Sequence, residues 1–185
     1  GKFLSPIGQF RQNVHPSWIN KLPTAPVGFG HGGAAPLSDL GVQLRAGIPL
    51  SGSMRANYAL FTSNGPTLLV DGHGDEVELE METEAAASNA DGNFVYGGRV
   101  GFLPMPALEL GLSGALGKVG VAEGHEVSEL AAGEPDRDYT VLGADAIYNI
   151  ATLQLRGEFI QQTVGSEANS AVADGAAAEE IDFRA

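Results

Sequence analysis

The chain contains no cysteine. That excludes a disulfide scaffold, a thiolate-ligated metal and a cysteine nucleophile. Cations are scarce: 10 Lys and Arg stand against 23 Asp and Glu, a formal charge of −13. Nucleic-acid binding needs clustered cations facing phosphates, so nucleic acid is not an expected partner. No apolar run approaches ~18 residues, so the sequence offers no membrane-spanning helix. No basic and apolar leader is visible at the opening Gly1-Lys2-Phe3, so the expectation is either a leader already removed or an internal piece of a longer protein. Catalytic signatures are also missing. There is no G-x-S-x-G elbow and no H-E-x-x-H pair, and Gly117-Lys118 lacks the rest of a phosphate-binding loop. Gly28-Phe29-Gly30-His31-Gly32-Gly33 spells G-x-G-x-x-G, but Pro23, Pro26 and Pro36 flank it where a dinucleotide site needs a strand and a helix. The expectation is a protein that is not an enzyme and has no cofactor.

What is present is glycine, 26 residues of it, set among apolar residues in period-two order. Glycine weakens helix interiors, and alternation marks strands with two unlike faces. In 39–48, Leu40, Val42, Leu44, Ala46 and Ile48 oppose Gly41, Gln43, Arg45 and Gly47. Segment 55–62 sets Ala56, Tyr58 and Leu60 against Arg55, Asn57 and Ala59. Segments 94–103, 108–117, 139–148 and 153–162 repeat the form. An opening strand over 2–10 is broken by Pro6 and Gly8, and 181–185 reads as the start of a further strand.

The links between these strands alternate in length. Short turns at 49–54, 104–107 and 149–152 alternate with long polar or Gly-rich loops at 12–38, 65–93 and 118–138, and a last loop covers 164–180. Strands near the ~9–11 residues of a tilted membrane strand, joined by tight turns on one side and long loops on the other, describe a transmembrane barrel. The expected fold is therefore all-β: an antiparallel up-and-down transmembrane β-barrel in one segment, 1–185. About seven to eight strands are too few to close a large barrel without further strands, so the expectation is part of a longer one.

Two blocks carry a resemblance. Gly1-Lys2-Phe3-Leu4-Ser5-Pro6-Ile7-Gly8 and His15-Pro16-Ser17-Trp18-Ile19-Asn20-Lys21-Leu22-Pro23 resemble a strand and its following loop in large Gram-negative outer-membrane porins of the phosphate-selective O/P type. Segments 41–50, 57–66, 97–104 and 143–162 are similar to later strands of such porins by pattern. The resemblance implies an outer-membrane channel for passive diffusion, commonly a homotrimer, in contact with membrane lipid and lipopolysaccharide.

If the apolar faces meet lipid, the polar faces line the pore. The expected pore-lining residues are Gln43, Arg45, Arg55, Asn57, Arg99, Glu109, Asp145, Gln154, Arg156 and Glu158. Four arginines stand there against three acids, a mixed and slightly cationic wall that sets the field a passing ion meets. It is no dense Lys/Arg ladder of the kind phosphate selectivity needs, so the expected solutes are small, hydrophilic and charged in general. Stretch 71–91, by contrast, holds eight acids and no Lys or Arg. Each wall residue read alone is as well explained by pairing across strands.

Glu76, Glu78, Glu80, Glu82 and Glu84 alternate along one stretch and could attract Ca²⁺ or Mg²⁺, although a solvated hairpin extension, a disordered loop or an inward constriction loop explains them too. His15, His31, His73 and His125 lack ligand spacing, so no metal centre is expected. Tyr58, Phe94, Tyr96, Phe102, Tyr139 and Tyr148 lie near strand ends, as aromatic girdles do, and as ordinary strand propensity also allows. Three other readings compete with the porin. One is a soluble or secreted β-sandwich that binds a ligand through its loops, another a non-conducting structural barrel. The third, a barrel enzyme, would need Ser17 and His15 to meet an acid at one rim.

Overall fold

The computed structural model describes residues 1–9, 38–73, 76–82, 89, 91–123, 135–165 and 181–184. The described chain is all-β. Its strands are β1 (Lys2–Leu4), β2 (Ser38–Pro49), β3 (Arg55–Ser63), β4 (Thr67–His73), β5 (Glu76–Glu82), β6 (Val95–Met105), β7 (Leu108–Val119), β8 (Val121–Glu123), β9 (Arg137–Ile150), β10 (Leu153–Val164) and β11 (Ile181–Arg184). Eight of them form one sheet in the order β1-β2-β3-β6-β7-β9-β10-β11. Every neighbouring pair in it is antiparallel. This is an up-and-down meander, curled into a half-barrel.

The period-two pattern decides which face is which. The register aligns Gly47, Asn57, Gly101, Gly111, Asp145 and Glu158 in one row across six strands. The next row towards the long links is Arg45, Ala59, Arg99, Ser113, Gly143 and Ile160. These rows face the concave side. A slip of one residue in any strand would exchange its faces, so the unlike faces hold the register.

The short links are tight. Leu50–Met54 closes with a hydrogen bond from the Met54 N–H to the Ser51 carbonyl at 3.0 Å. The β9–β10 hairpin turns on Ala151 and Thr152, with Ala151 at φ 51°. The Asn149 N–H donates to the Ala107 carbonyl at 2.8 Å, which ties the last two turns together.

The long links contain strands of their own. Link 65–93 contains the β4–β5 hairpin, and 118–138 contains β8, which pairs parallel with β4. The three strands make a second sheet, β5-β4-β8. The reason lies in Leu68, which no alternation announces and which is fully buried. The opening strand also stops at Leu4 rather than continuing to residue 10. Pro6 cannot donate to a ladder, and residues 5–9 turn onto the concave face instead.

A core fills the long-link end of that face. Phe61, Val95, Ala115, Val119, Tyr139, Val141, Ile160 and Val164 point in from the large sheet, and Ile7, Leu68 and Val121 pack down on them. Tyr139 is therefore a core residue with almost no exposure, not part of a girdle. Its odd position in β9 puts it on the face of Val141 and Asp145.

Candidate functional site

The candidate site is the middle of the concave face, below the core. Arg99 on β6 is its centre and is 5% exposed. Its Nε donates to Asp145 Oδ2 at 2.9 Å and its Nη2 to Asp145 Oδ1 at 2.6 Å, a two-pronged pair between β6 and β9. Nη2 also donates to Glu109 Oε1 at 3.1 Å, and Nη1 to Asn57 Oδ1 at 3.2 Å. The planar guanidinium fork matches a carboxylate in this way, where an ammonium could not.

The sequence makes room for this arrangement with glycine. A Cβ at Gly111 would overlap Arg99 Nη2 and both Asp145 carboxylate oxygens. One at Gly101 would overlap Asn57 Oδ1 and sit 2.9 Å from Arg99 Nη1. Two bare positions side by side in one row thus clear the floor on which the Arg99 head lies.

Glu109 Oε1 accepts two further hydrogen bonds, from Asn57 Nδ2 at 3.2 Å and from Gln9 Nε2 at 2.7 Å. The Gln9 N–H donates to Glu158 Oε2 at 3.2 Å, and the Gly8 N–H donates to Ser113 Oγ at 3.3 Å. Gly8 has φ +71°, a left-handed conformation that favours glycine, and it lies against the Glu158 carboxylate. Gln9 and Ser113 join the cluster without being among the ten wall residues. The sequence signal for Gln9 is the break at Pro6 and Gly8, which removes 5–9 from the sheet; that for Ser113 is its place opposite Leu108, Leu110 and Leu112 in the alternation of 108–117.

All ten anticipated wall residues fall on the concave side of their strands by register. The structure brings Asn57, Arg99, Glu109 and Asp145 into one cluster, with Glu158 joined through Gln9. Gln43 and Arg45 form a separate pair, Arg45 Nε donating to Gln43 Oε1 at 2.5 Å. Arg156 Nε donates to Gln154 Oε1 at 2.6 Å, and Gln154 Nε2 to Asn149 Oδ1 at 2.7 Å. Arg55 is exposed at the short-turn rim. The charge balance is thereby altered: Arg99 is committed to Asp145 and Glu109, so of the four wall arginines the exposed ones are Arg45, Arg55 and Arg156.

A cavity of about 440 Å³ opens beside the cluster, between Arg45 and Gly47 on β2, Asn57 on β3, Arg99, Glu109 and Gln9. No group of three or more His, Asp or Glu side chains is placed to hold a metal ion among the described residues. β5 carries Glu76, Glu78, Glu80 and Glu82 at alternate positions, but their side chains and Glu84 lie outside the described residues, as do His15, Trp18, His31 and His125.

The opposite face is apolar and exposed. Val42 is 69% exposed, Leu112 70% and Leu116 65%, and Leu44, Leu60, Val100, Leu142 and Leu155 are each at least half exposed. Fold and faces together define the class: an antiparallel up-and-down sheet, curled with a polar cluster and, at its long-link end, an apolar core inside, and with apolar residues outside. The chain matches no family model, no curated protein and no solved structure.

Proposed function

We propose that this chain forms the wall of an outer-membrane channel of the porin kind, through which small charged hydrophilic solutes diffuse passively. One observation carries the reading. From the level of Lys118 and Asp138 to the short turns, the convex faces of β2, β3, β6, β7, β9 and β10 carry no charged residue. Large apolar side chains stand exposed along that band. In water such a surface would drive association, whereas in lipid it is the stable arrangement. A soluble sandwich would bury its apolar faces against each other and leave the charges outside. In this reading the chain is no enzyme, takes no cofactor and touches lipid along its convex face. Lipopolysaccharide, the trimeric state and the outer-membrane location follow from the resemblance to porins.

Planar-bilayer recording tests the proposal. The protein should give discrete conductance steps, and changing Arg45, Arg55 and Arg156 together to Gln should move the reversal potential towards cation preference. Absence of conductance at any protein load would overturn the channel. A second reading, a non-conducting structural barrel, is favoured by one specific observation: the core around Ile7, Leu68 and Tyr139 fills the concave face at the long-link end. It is the outcome in which the protein needs detergent yet passes no current.

A further inference from the structure

We infer that the cavity between β2 and the Arg99 cluster is a binding subsite for small zwitterions, solutes that carry a carboxylate at one end and an ammonium at the other. The inference deepens the channel reading and rests on it, because it takes the concave face to be open to solutes.

Two unlike charges face this cavity, each with binding capacity to spare. Among the described residues, the only side-chain bond of Arg45 is from its Nε to the neutral Gln43 amide, so both terminal nitrogens remain for an anion. Glu109 presents the complementary case. Its Oε1 takes hydrogen bonds from Gln9, Asn57 and Arg99, while no described group donates to its Oε2. The Glu109 side chain is 21% exposed and lines the cavity, so a cation there can reach the carboxylate. Arg99 adds no free positive charge, since Asp145 engages it in two hydrogen bonds.

Gly47 supplies the space. It pairs with Asn57 in the register, and a Cβ there would meet nothing nearer than the Ala56 carbonyl at 4.0 Å. This contrasts with Gly101 and Gly111, whose space is already filled by the Arg99 and Asp145 side chains. A solute lying over Gly47 can direct its carboxylate to Arg45 and its ammonium to Glu109. An anion or a cation of the same length would satisfy one end and leave the other unmatched. Charged hydrogen bonds lost in this way each weaken binding by about tenfold.

Isothermal titration of the detergent-solubilised protein with ε-aminocaproate, caproate and hexylamine tests this directly. The zwitterion should bind about tenfold more tightly than either single-charge analogue. R45Q should reduce ε-aminocaproate to the level of hexylamine. Gly47→Leu, which adds bulk to the cavity lining and removes neither charge, should abolish the difference among the three. Equal affinity for all three ligands, or a preference that survives Gly47→Leu, would overturn the subsite. Bilayer recording on the same sample separates the two ideas: steps without zwitterion preference reject the subsite alone, and preference without steps rejects the channel alone.

Discussion

At the residue scale, the decisive group is Arg99. A buried guanidinium is stable only while its carboxylates are in place, and those carboxylates depend on it equally. R99Q removes the cation and leaves Asp145 and Glu109 facing each other across Gly111. It should destabilise the fold by about 3–5 kcal/mol in chemical unfolding. Arg99→Lys should recover little, because an ammonium cannot make the two-pronged contact to Asp145. Adding Asp145→Asn to R99Q should restore part of the loss; a double variant no better than the single one would show that the pair is not the source of the effect. A smaller prediction concerns Ala151. Its φ of 51° lies in the left-handed region, where a Cβ costs about 1 kcal/mol. Ala151→Gly should therefore raise the unfolding midpoint, and a lower midpoint would mean that the extra freedom of the unfolded chain outweighs the relief.

The same residues show where a sequence can be read and where it cannot. Alternation put Arg99, Asp145, Glu109 and Asn57 on one face, because a period of two needs no knowledge of partners. Their mutual contacts were not legible. The partners of Arg99 lie 46 and 10 residues away, and the space for its head comes from Gly101 and Gly111, which alternation alone shows only as gaps. Counting four wall arginines as equivalent consequently overstated the free positive charge.

At the element scale, the long links matter most. Alternation with short turns sets them apart in the sequence, but their content depends on tertiary burial. β4 is held by Leu68, whose N–H donates to the Gly120 carbonyl at 3.0 Å and whose side chain is fully buried. Asp91 secures the approach: its Oδ2 accepts from the Gly120 N–H at 2.7 Å and its Oδ1 from the Asn93 N–H at 3.0 Å. Residues 5–9 are fixed by different means, Ile7 in the apolar core and Gln9 on the two acids below. Changing Ile7 and Gln9 together to Ala should release this segment from both anchors. Stability should fall by about 2–5 kcal/mol, the usual cost of truncating a buried isoleucine. In the proposed channel, single-channel conductance should rise, since the segment lies across the concave face. Unchanged conductance with the stability loss present would mean that β4 and β8 alone set the narrowest point.

At the scale of the whole molecule, dimensions and polarity agree. Strands of 12 residues such as β2, β7 and β10 extend about 40 Å. Tilted by roughly 40°, as barrel strands are, they rise about 30 Å, the thickness of a bilayer's hydrocarbon layer. Leu112 lies midway along β7 on the convex face, near the centre of that layer in the proposed orientation. Leu112→Arg would place a charge where no water can reach it, at a cost of about 2–4 kcal/mol near the midplane. The loss should appear in unfolding from liposomes and should fade when the same substitution is made at Leu116, nearer the rim. A soluble protein predicts the reverse, since an arginine replacing a leucine exposed to water improves solubility without loss of stability. The sign of this one difference, read against the depth of the substitution, therefore separates a lipid-facing wall from a sheet that only happens to be apolar outside.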